Sequence, residues 1–360
     1  MAVLKKEFSI KHYMAEYYVE ESQEGLRLDQ FLKEYLPSFS REQIKSNIKN
    51  KNVIIIGRPG NHKPNTTLHY KDKIRFTIHE DGHEDEYWRN ELLKINRVPD
   101  VIFEDENIII CLKPAFMAAH PTGRHLFNCA TVYFEHIHKK TVHSIHRLDR
   151  ETSGVILLGK NPHYANILTS LFEENRVKKC YFLIGIKIDQ NIKDKLIANE
   201  RLGSVKTGLE RVYINNFPPE STSGKHAQTK FIKLWEDDTY ILSLALPKTG
   251  RQHQIRVHAM VHGFPLLGDK LYLGSFKMFQ RFKDNIAEPS DFDLMQIPRH
   301  ALHAIALNFE YLGVNKTYQS KLPEDLQTWM NNHLTIDQTE LNKKIKEVLE
   351  IEFKSYEHNK

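Results

Sequence analysis

Cysteine is scarce in this chain: three residues in 360, at positions 111, 129 and 180. They are too few and too scattered for a disulfide framework or a C-x-x-C metal knuckle. Long apolar runs are also missing. None approaches the roughly 18 residues that a membrane-spanning helix needs, so no membrane association is expected. The opening stretch MAVLKKEFSIKHYMAEYY lacks an apolar core followed by a small-residue cleavage site, so no secretory leader is expected either. Charge of one sign is not in large excess. Fifty-one Lys+Arg stand against 46 Asp+Glu, and the net of +5 selects no partner by itself. Repeats and low-complexity tracts are absent. A globular chain is left, expected to be cytoplasmic, reduced and monomeric. Its 40% hydrophobic and 27% charged residues suffice for a sizeable core, and its length exceeds one ordinary domain.

Several chemistries are missing too. No H-E-x-x-H occurs, and His136, His138, His143 and His146 have no carboxylate partner at ligand spacing, so no metal is expected. No serine sits in a G-x-S-x-G elbow. Gly154 to Lys160 spells G-x-x-x-x-G-K, but position 161 is Asn and the four intervening residues are all apolar. A phosphate loop needs flexible backbone to cradle oxygens, whereas this stretch reads as a buried strand. No nucleotide binding is expected.

What is present begins with a charge asymmetry. Residues 41–75 carry nine Lys/Arg and two acids, whereas residues 80–106 carry ten acids and three basic residues. The shift, with the Asp81-Gly82-His83 turn signal, places a linker at about 81–96 between a small domain over 20–80 and a larger one over 97–325. A helical tail over 326–360 follows. In the basic segment, Leu26, Leu28, Phe31 and Leu32 predict a short helix ending near Pro37. Ser40-Arg41-Glu42-Gln43 matches a capping box that opens a second helix. On it Ile44 and Ile48 share one stripe, and Arg41, Lys45 and Lys49 form the stripe beside it. Strands are predicted at 53–56 and 74–78, joined by a turn at 57–61. Cations along one edge of such a unit suit the gripping of phosphates.

The larger segment alternates strand-like and helix-like stretches irregularly, which predicts a mixed α+β domain with a largely antiparallel sheet. Strands are expected near 107–112, 155–158, 181–188, 231–235 and 241–246. Asn161-Pro162 predicts a helix start, with Tyr164, Ile167, Leu168, Leu171 and Phe172 on its core face. A helix from about Gln252 is expected to end at Gly263, and Thr339–Phe353 reads as an amphipathic helix docked on the core.

The segment His146-Arg147-Leu148-Asp149-Arg150-Glu151-Thr152-Ser153-Gly154 concentrates the remaining chemistry. It fits a loop in which Asp149 is salt-bridged to a neighbouring arginine. It fits equally a nucleophilic carboxylate kept ionised by guanidinium groups.

This segment resembles the signature of the RluA/RluD-like family of RNA pseudouridine synthases. Four further elements stand in the family's order. Lys179-Cys180-Tyr181 resembles its K-x-Y strand. Thr249-Gly-Arg-Gln-His-Gln-Ile-Arg-Val-His258 resembles T-G-R-x-H-Q-I-R-x-H. Gly268-Asp-Lys-Leu-Tyr-Leu-Gly274 and Arg299-His-Ala-Leu-His-Ala304 resemble the remaining two. The start Arg27-Leu28-Asp29-Gln30-Phe31-Leu32 resembles the S4 RNA-binding module. Ala115-Phe116 departs from the family's usual Ala-Gly, and Leu183 stands where alanine is common.

The resemblance implies an isomerase that converts uridine to pseudouridine in RNA, without metal or cofactor, on a base flipped out of its stack. It implies Asp149 as nucleophile, attacking ribose or base, with Arg256 as its partner and Tyr181 against the uracil. Ile255 and Leu302 would wall the pocket, Arg147 would contact RNA, and Lys248 and Arg251 would contact phosphates. Arg41, Lys45 and Lys49 would bind RNA from the S4-like domain. Ribosomal RNA of the large subunit is the expected substrate, and tRNA the alternative within the family. A non-catalytic RNA-binding protein is the alternative outside it, against which the joint presence of Asp149, Tyr181 and Arg256 argues; a ribosome-assembly factor whose binding matters more than its chemistry is compatible with an intact site.

Overall fold

The structure, a computed structural model, describes residues 3–36, 39–80, 84–122 and 125–354. The expected turn at Asp81-Gly82-His83 and the helix stop at Pro37 lie outside these residues. Contacts divide the chain into two compact units. One runs up to Asp85 and includes the excursion Ala118–Val142, and the other takes Glu86–Met117 and the chain from His143 onward.

The first unit holds an antiparallel sheet in the order Val3–Phe8, His12–Tyr18, Lys73–His79, Val53–Ile56. Period-two alternation turns Tyr13, Ala15, Tyr17, Ile74, Phe76 and Ile78 inward. Helices Leu28–Tyr35 and Arg41–Lys49 close over that face with Leu28, Phe31, Leu32, Ile44 and Ile48. The capping box forms as expected: Ser40 Oγ accepts from Gln43 N at 3.1 Å, and Ser40 N donates to Gln43 Oε1 at 2.8 Å. Two strands before residue 20 extend this unit beyond the stretch marked in the sequence. In the excursion, the buried Glu84 carboxylate accepts from the backbone N–H of Phe127 (2.9 Å) and Asn128 (2.8 Å), so a charged group fixes the turn before helix Ala130–His138.

The second unit is built on a ten-stranded sheet. Its order is Lys195–Ala198, Thr229–Glu236, Tyr240–Pro247, Lys178–Ile186, Leu302–Tyr311, Ser153–Gly159, Ile108–Lys113, Asp100–Glu104. Val314–Gln319 pairs with Leu302–Tyr311, and His143–Ser144 pairs with Ser153–Gly159. Ser153–Gly159 runs parallel to Leu302–Tyr311, at Ser153↔His303 and Gly154↔Ala304; the other described pairs in this sheet are antiparallel. The α+β architecture with a largely antiparallel sheet is therefore as the sequence implied. Ser153–Gly159 is buried along its whole length, so the G-x-x-x-x-G-K string is a core strand.

One face of the sheet presents Cys180, Phe182, Ile184, Leu242 and Leu244 to helices Glu324–His333 and Gln338–Lys354. Leu341, Ile345, Leu349 and Phe353 dock the terminal helix there. In helix Pro162–Glu173, Asn161 Oδ1 caps Tyr164 N at 2.9 Å. Its buried stripe runs through Ala165, Leu168 and Leu171, whereas Ile167 is 44% exposed, against expectation. The stripe turns on the small Ala165, which fits closely against Gly159. Helix Gln254–Val261 starts two residues later than expected, and Gly263 follows it at φ +82°.

Candidate active site

Asp149 sits in the loop that enters strand Ser153–Gly159. Its carbonyl accepts from Thr152 N at 3.0 Å, closing a turn. The loop is fastened to the strand Leu302–Tyr311 and the residues before it: Thr152 Oγ1 is 2.7 Å from His300 Nε2, and Ser153 Oγ is 2.8 Å from His303 Nδ1. From beneath, Lys113 Nζ donates to the carbonyls of Pro114 (2.9 Å), Met117 (2.7 Å) and Arg150 (3.2 Å). Burial, with Arg299 and Arg150 nearby, pushes this ammonium down to about 7. Three carbonyl acceptors nevertheless match the three N–H bonds of the charged form, and a neutral amine would turn its lone pair on one of them.

Helix Gln254–Val261 delivers Arg256, whose guanidinium bridges two carboxylates. Nη1 donates to Asp149 Oδ2 at 3.1 Å, while Nε and Nη2 make a bidentate pair with Asp269 at 2.7 and 2.8 Å. Asp269 is fully buried and also accepts from Leu271 N and Tyr272 N at 3.0 and 3.1 Å. Asp269 thus holds the arginine, and the arginine's remaining arm holds Asp149. The ring of Tyr272 lies 5.0 Å from the guanidinium carbon. Its hydroxyl accepts from Ile214 N at 3.1 Å and lies 2.9 Å from His253 Nδ1, while His253 Nε2 stands 3.8 Å from Asp149 Oδ2.

Burial alone would push the Asp149 carboxyl up. His253, Arg256 and His300, with the hydrogen bond from Arg256, outweigh it and hold the carboxyl below its ordinary range. His253 is itself pushed down to about 4 by burial and by Arg256. At neutral pH that imidazole is uncharged, so Arg256 supplies the positive charge. A group held ionised by a depressed pKa loses its function only as pH falls through that lowered value. The rate is therefore expected to stay level from pH 5 to 7, with any acid limb lying below about pH 4. A kcat/KM profile with a limb between pH 6 and 7 would show an ordinary histidine in control instead.

Asp149 opens on a cavity of about 560 Å³, within the range of small-molecule sites. Tyr181, Arg256, Arg147, Ile255, Leu302 and Arg251 all line it, so residues scattered over 155 positions of sequence meet at one place. Tyr181 comes from strand Lys178–Ile186, on which Cys180 and Phe182 turn to the opposite face; the pairing with Leu302–Tyr311 shifts register between Cys180 and Tyr181. Burial, Asp149 and Cys180 push its phenol up, so it stays protonated. Ile255 and Leu302 are buried apolar wall. Arg147 is exposed at the rim, with no ion pair among the described residues. Lys248 is exposed and lies outside the lining, next to Thr249, Gly250 and Arg251, which belong to it. Arg41, Lys45 and Lys49 belong to the first unit, where Arg41 and Lys49 are exposed and Lys45 pairs with Glu42 at 3.2 Å.

Sequence reasoning gave no role to Asp269, His253 or Lys179, although each lies inside a motif quoted above. His146 is structural: its Nε2 accepts from Leu157 N at 3.0 Å and its ring stacks on Phe172. Among the described residues no group of His, Cys, Asp and Glu could hold a metal ion. The departure at Phe116 has a conformational side: its φ is +64°, where glycine is at ease, and its ring lies 5.5 Å from the Arg150 guanidinium carbon.

Residues 107–260 match the family model described as RNA pseudouridylate synthase. Among curated proteins, the chain is similar to a ribosomal large subunit pseudouridine synthase D of Buchnera aphidicola, at 31% identity over 84% of this chain and 92% of that protein. The protein of the same description from Pseudomonas aeruginosa is 26% identical over 87% and 93%. A mitochondrial tRNA pseudouridine(32) synthase of Saccharomyces cerevisiae is 29% identical over 68% of this chain and 50% of that protein. Among solved structures, human RNA pseudouridylate synthase domain containing 4 shares the fold, with a TM-score of 0.51 at 23% identity over 64% of this chain and 92% of that one.

Proposed function

This chain belongs to the RluA/RluD-type family of RNA pseudouridine synthases, and from that premise we propose that it isomerises uridines of large-subunit ribosomal RNA, with Asp149 as the nucleophile. One observation carries the assignment: a carboxylate held ionised by Arg256 at a cavity shared with Tyr181.

In the reaction the bond between ribose and uracil N1 breaks, a bond from ribose to C5 forms, C5 loses its proton and N1 gains one. Nothing external is consumed. Asp149 attacks ribose or base; either way it must be anionic, and Arg256 keeps it so. Tyr181 supplies a flat face for the flipped base. Because its phenol stays protonated, it moves the C5 proton only by giving up its own as it accepts another. Ile255 and Leu302 exclude water beside the reacting atoms. Arg147, free at the rim, contacts RNA or fills the vacancy that the base leaves. Lys248 and Arg251 meet phosphates, and these contacts hold position rather than read sequence. Residues 20–80, S4-like, add Arg41, Lys45 and Lys49 as a second RNA grip. The ribosomal substrate is favoured over tRNA because the relatives named for the large subunit align over more of both chains.

The test is tritium release from transcripts labelled at uridine C5, drawn from large-subunit ribosomal RNA and from tRNA. Release confined to ribosomal transcripts is expected. Release from tRNA alone would transfer the enzyme to the other substrate, and release from neither, with RNA binding intact, would overturn the catalytic reading.

A further inference from the structure

Lys179 is a buried cation with no anion beside it among the described residues. Only 8% of the residue is exposed, and its described polar contact is a long one, from Nζ to the Thr249 carbonyl at 3.4 Å. No carboxylate pairs with it among the described residues, and its strongest charged neighbour is another cation, Arg251. A buried ammonium is normally paired, since taking its charge out of water without a partner is unfavourable. This one faces the cavity, between Phe172, whose ring centre is 6.0 Å away, and Gly250, where an added Cβ would come within 4.0 Å of Nζ. Lys113 makes the contrast: more deeply buried still, it spends its three N–H bonds on three carbonyls.

The strand fixes the rest of the geometry. Lys179 and Tyr181 are two apart on Lys178–Ile186 and share a face, which puts their Cα atoms roughly 6–7 Å apart. The surface offered to the base and the unpaired ammonium are therefore neighbours on one rigid element. Arg251 anchors its Nε on the His226 carbonyl at 3.0 Å and stands at the exposed lip of the same cavity.

We infer that Lys179, with Arg251 at its rim, forms a phosphate subsite that takes one backbone phosphate beside the flipped uridine and so fixes the nucleotide's depth in the cavity. The subsite rests on the reading of this cavity as a uridine site. An incoming phosphate supplies the missing anion, and Gly250 leaves the space through which it approaches. Lys179 is a substrate-binding residue here and touches no reacting atom.

The test pairs one substitution with one substrate change in the full-length enzyme. Tritium release is measured for wild type and Lys179→Met on an active transcript. The same transcript is then made with a single uncharged methylphosphonate linkage on either side of the target uridine. Wild type is expected to lose about tenfold in kcat/KM with one of the two neutral linkages, chiefly through KM. Lys179→Met is expected to lose about as much on the natural transcript and less than twofold more on the neutral one. Its binding should also depend less steeply on salt, by about 0.7 in the slope of log K against log salt for one single-strand contact. Losses that multiply, or an unchanged salt slope in a variant melting with wild type, would overturn the subsite and leave Lys179 a prop for the Thr249 carbonyl. Failure of wild type on every natural transcript would instead count against the uridine reading itself.

Discussion

Asp149→Asn is expected to abolish tritium release while RNA still binds at least as tightly as to wild type. The substitution preserves shape, and its side-chain oxygen can still accept from Arg256 Nη1, now 3.1 Å from Oδ2. What disappears is the negative charge. A neutral amide cannot attack, and removing an anion from an RNA-binding cavity eases the approach of phosphates. Loss of a nucleophile costs on the order of 10⁴-fold or more in turnover, well beyond what a misplaced neighbour would cost. Filter binding and tritium release on the same transcript separate the two effects. Retained turnover would return Asp149 to the role of a salt-bridged loop residue.

Gly154→Ala is expected to strike the fold hardest. Gly154 holds φ +114°, and an added Cβ would lie 2.2 Å from the Ala304 carbonyl oxygen and 2.6 Å from Ala304 N. Those atoms belong to the parallel pairing of Ser153–Gly159 with Leu302–Tyr311, so no flexible side chain can move aside. Backbone strain of about 1–3 kcal/mol adds to overpacking of similar size. Against a typical stability of about 5–15 kcal/mol, the expected fall in Tm is about 5–20 °C. Gly313→Ala is the control: φ is +76°, but nothing lies within 4 Å of the added Cβ, so only the strain remains. Equal melting of the two variants would show that the close approach to Ala304 is not confining.

Much of the site was legible because its residues lie in short, ordered motifs. Asp149, Tyr181 and Arg256 each stand in one, and the structure brings them to a single cavity. The motifs do not say what each residue faces. Asp269 was visible only as part of G-D-K-L-Y-L-G; its bidentate grip on Arg256 depends on a turn that aims a buried carboxylate at a helix thirteen residues earlier. Lys179 looked like any lysine on a strand, since the lack of an anion around it among the described residues exists only in three dimensions. In the fold, caps and alternation were readable at Ser40 and Asn161. Strand His12–Tyr18 was hidden because Met14, Glu16 and Tyr18 occupy its outer face and blur the period of two. Ile167 shows the converse failure: apolar identity put it on the core face, yet the small Ala165 is the residue that fits against Gly159.

The separation of Asp149 from Arg256 has a consequence for the newly made protein. The two are 107 residues apart in sequence, and the strand that pins the Asp149 loop at His303 and Ala304 is made later still. At roughly 5–20 residues per second, Arg256 emerges roughly 5–20 s after the carboxylate it must hold. A nascent chain that already displays Asp149 and Tyr181 therefore lacks the counter-ion and the strand that make them a site. Under the proposed function, a nascent chain that stops short of Leu302–Tyr311 is therefore expected to release no tritium, however well it binds RNA.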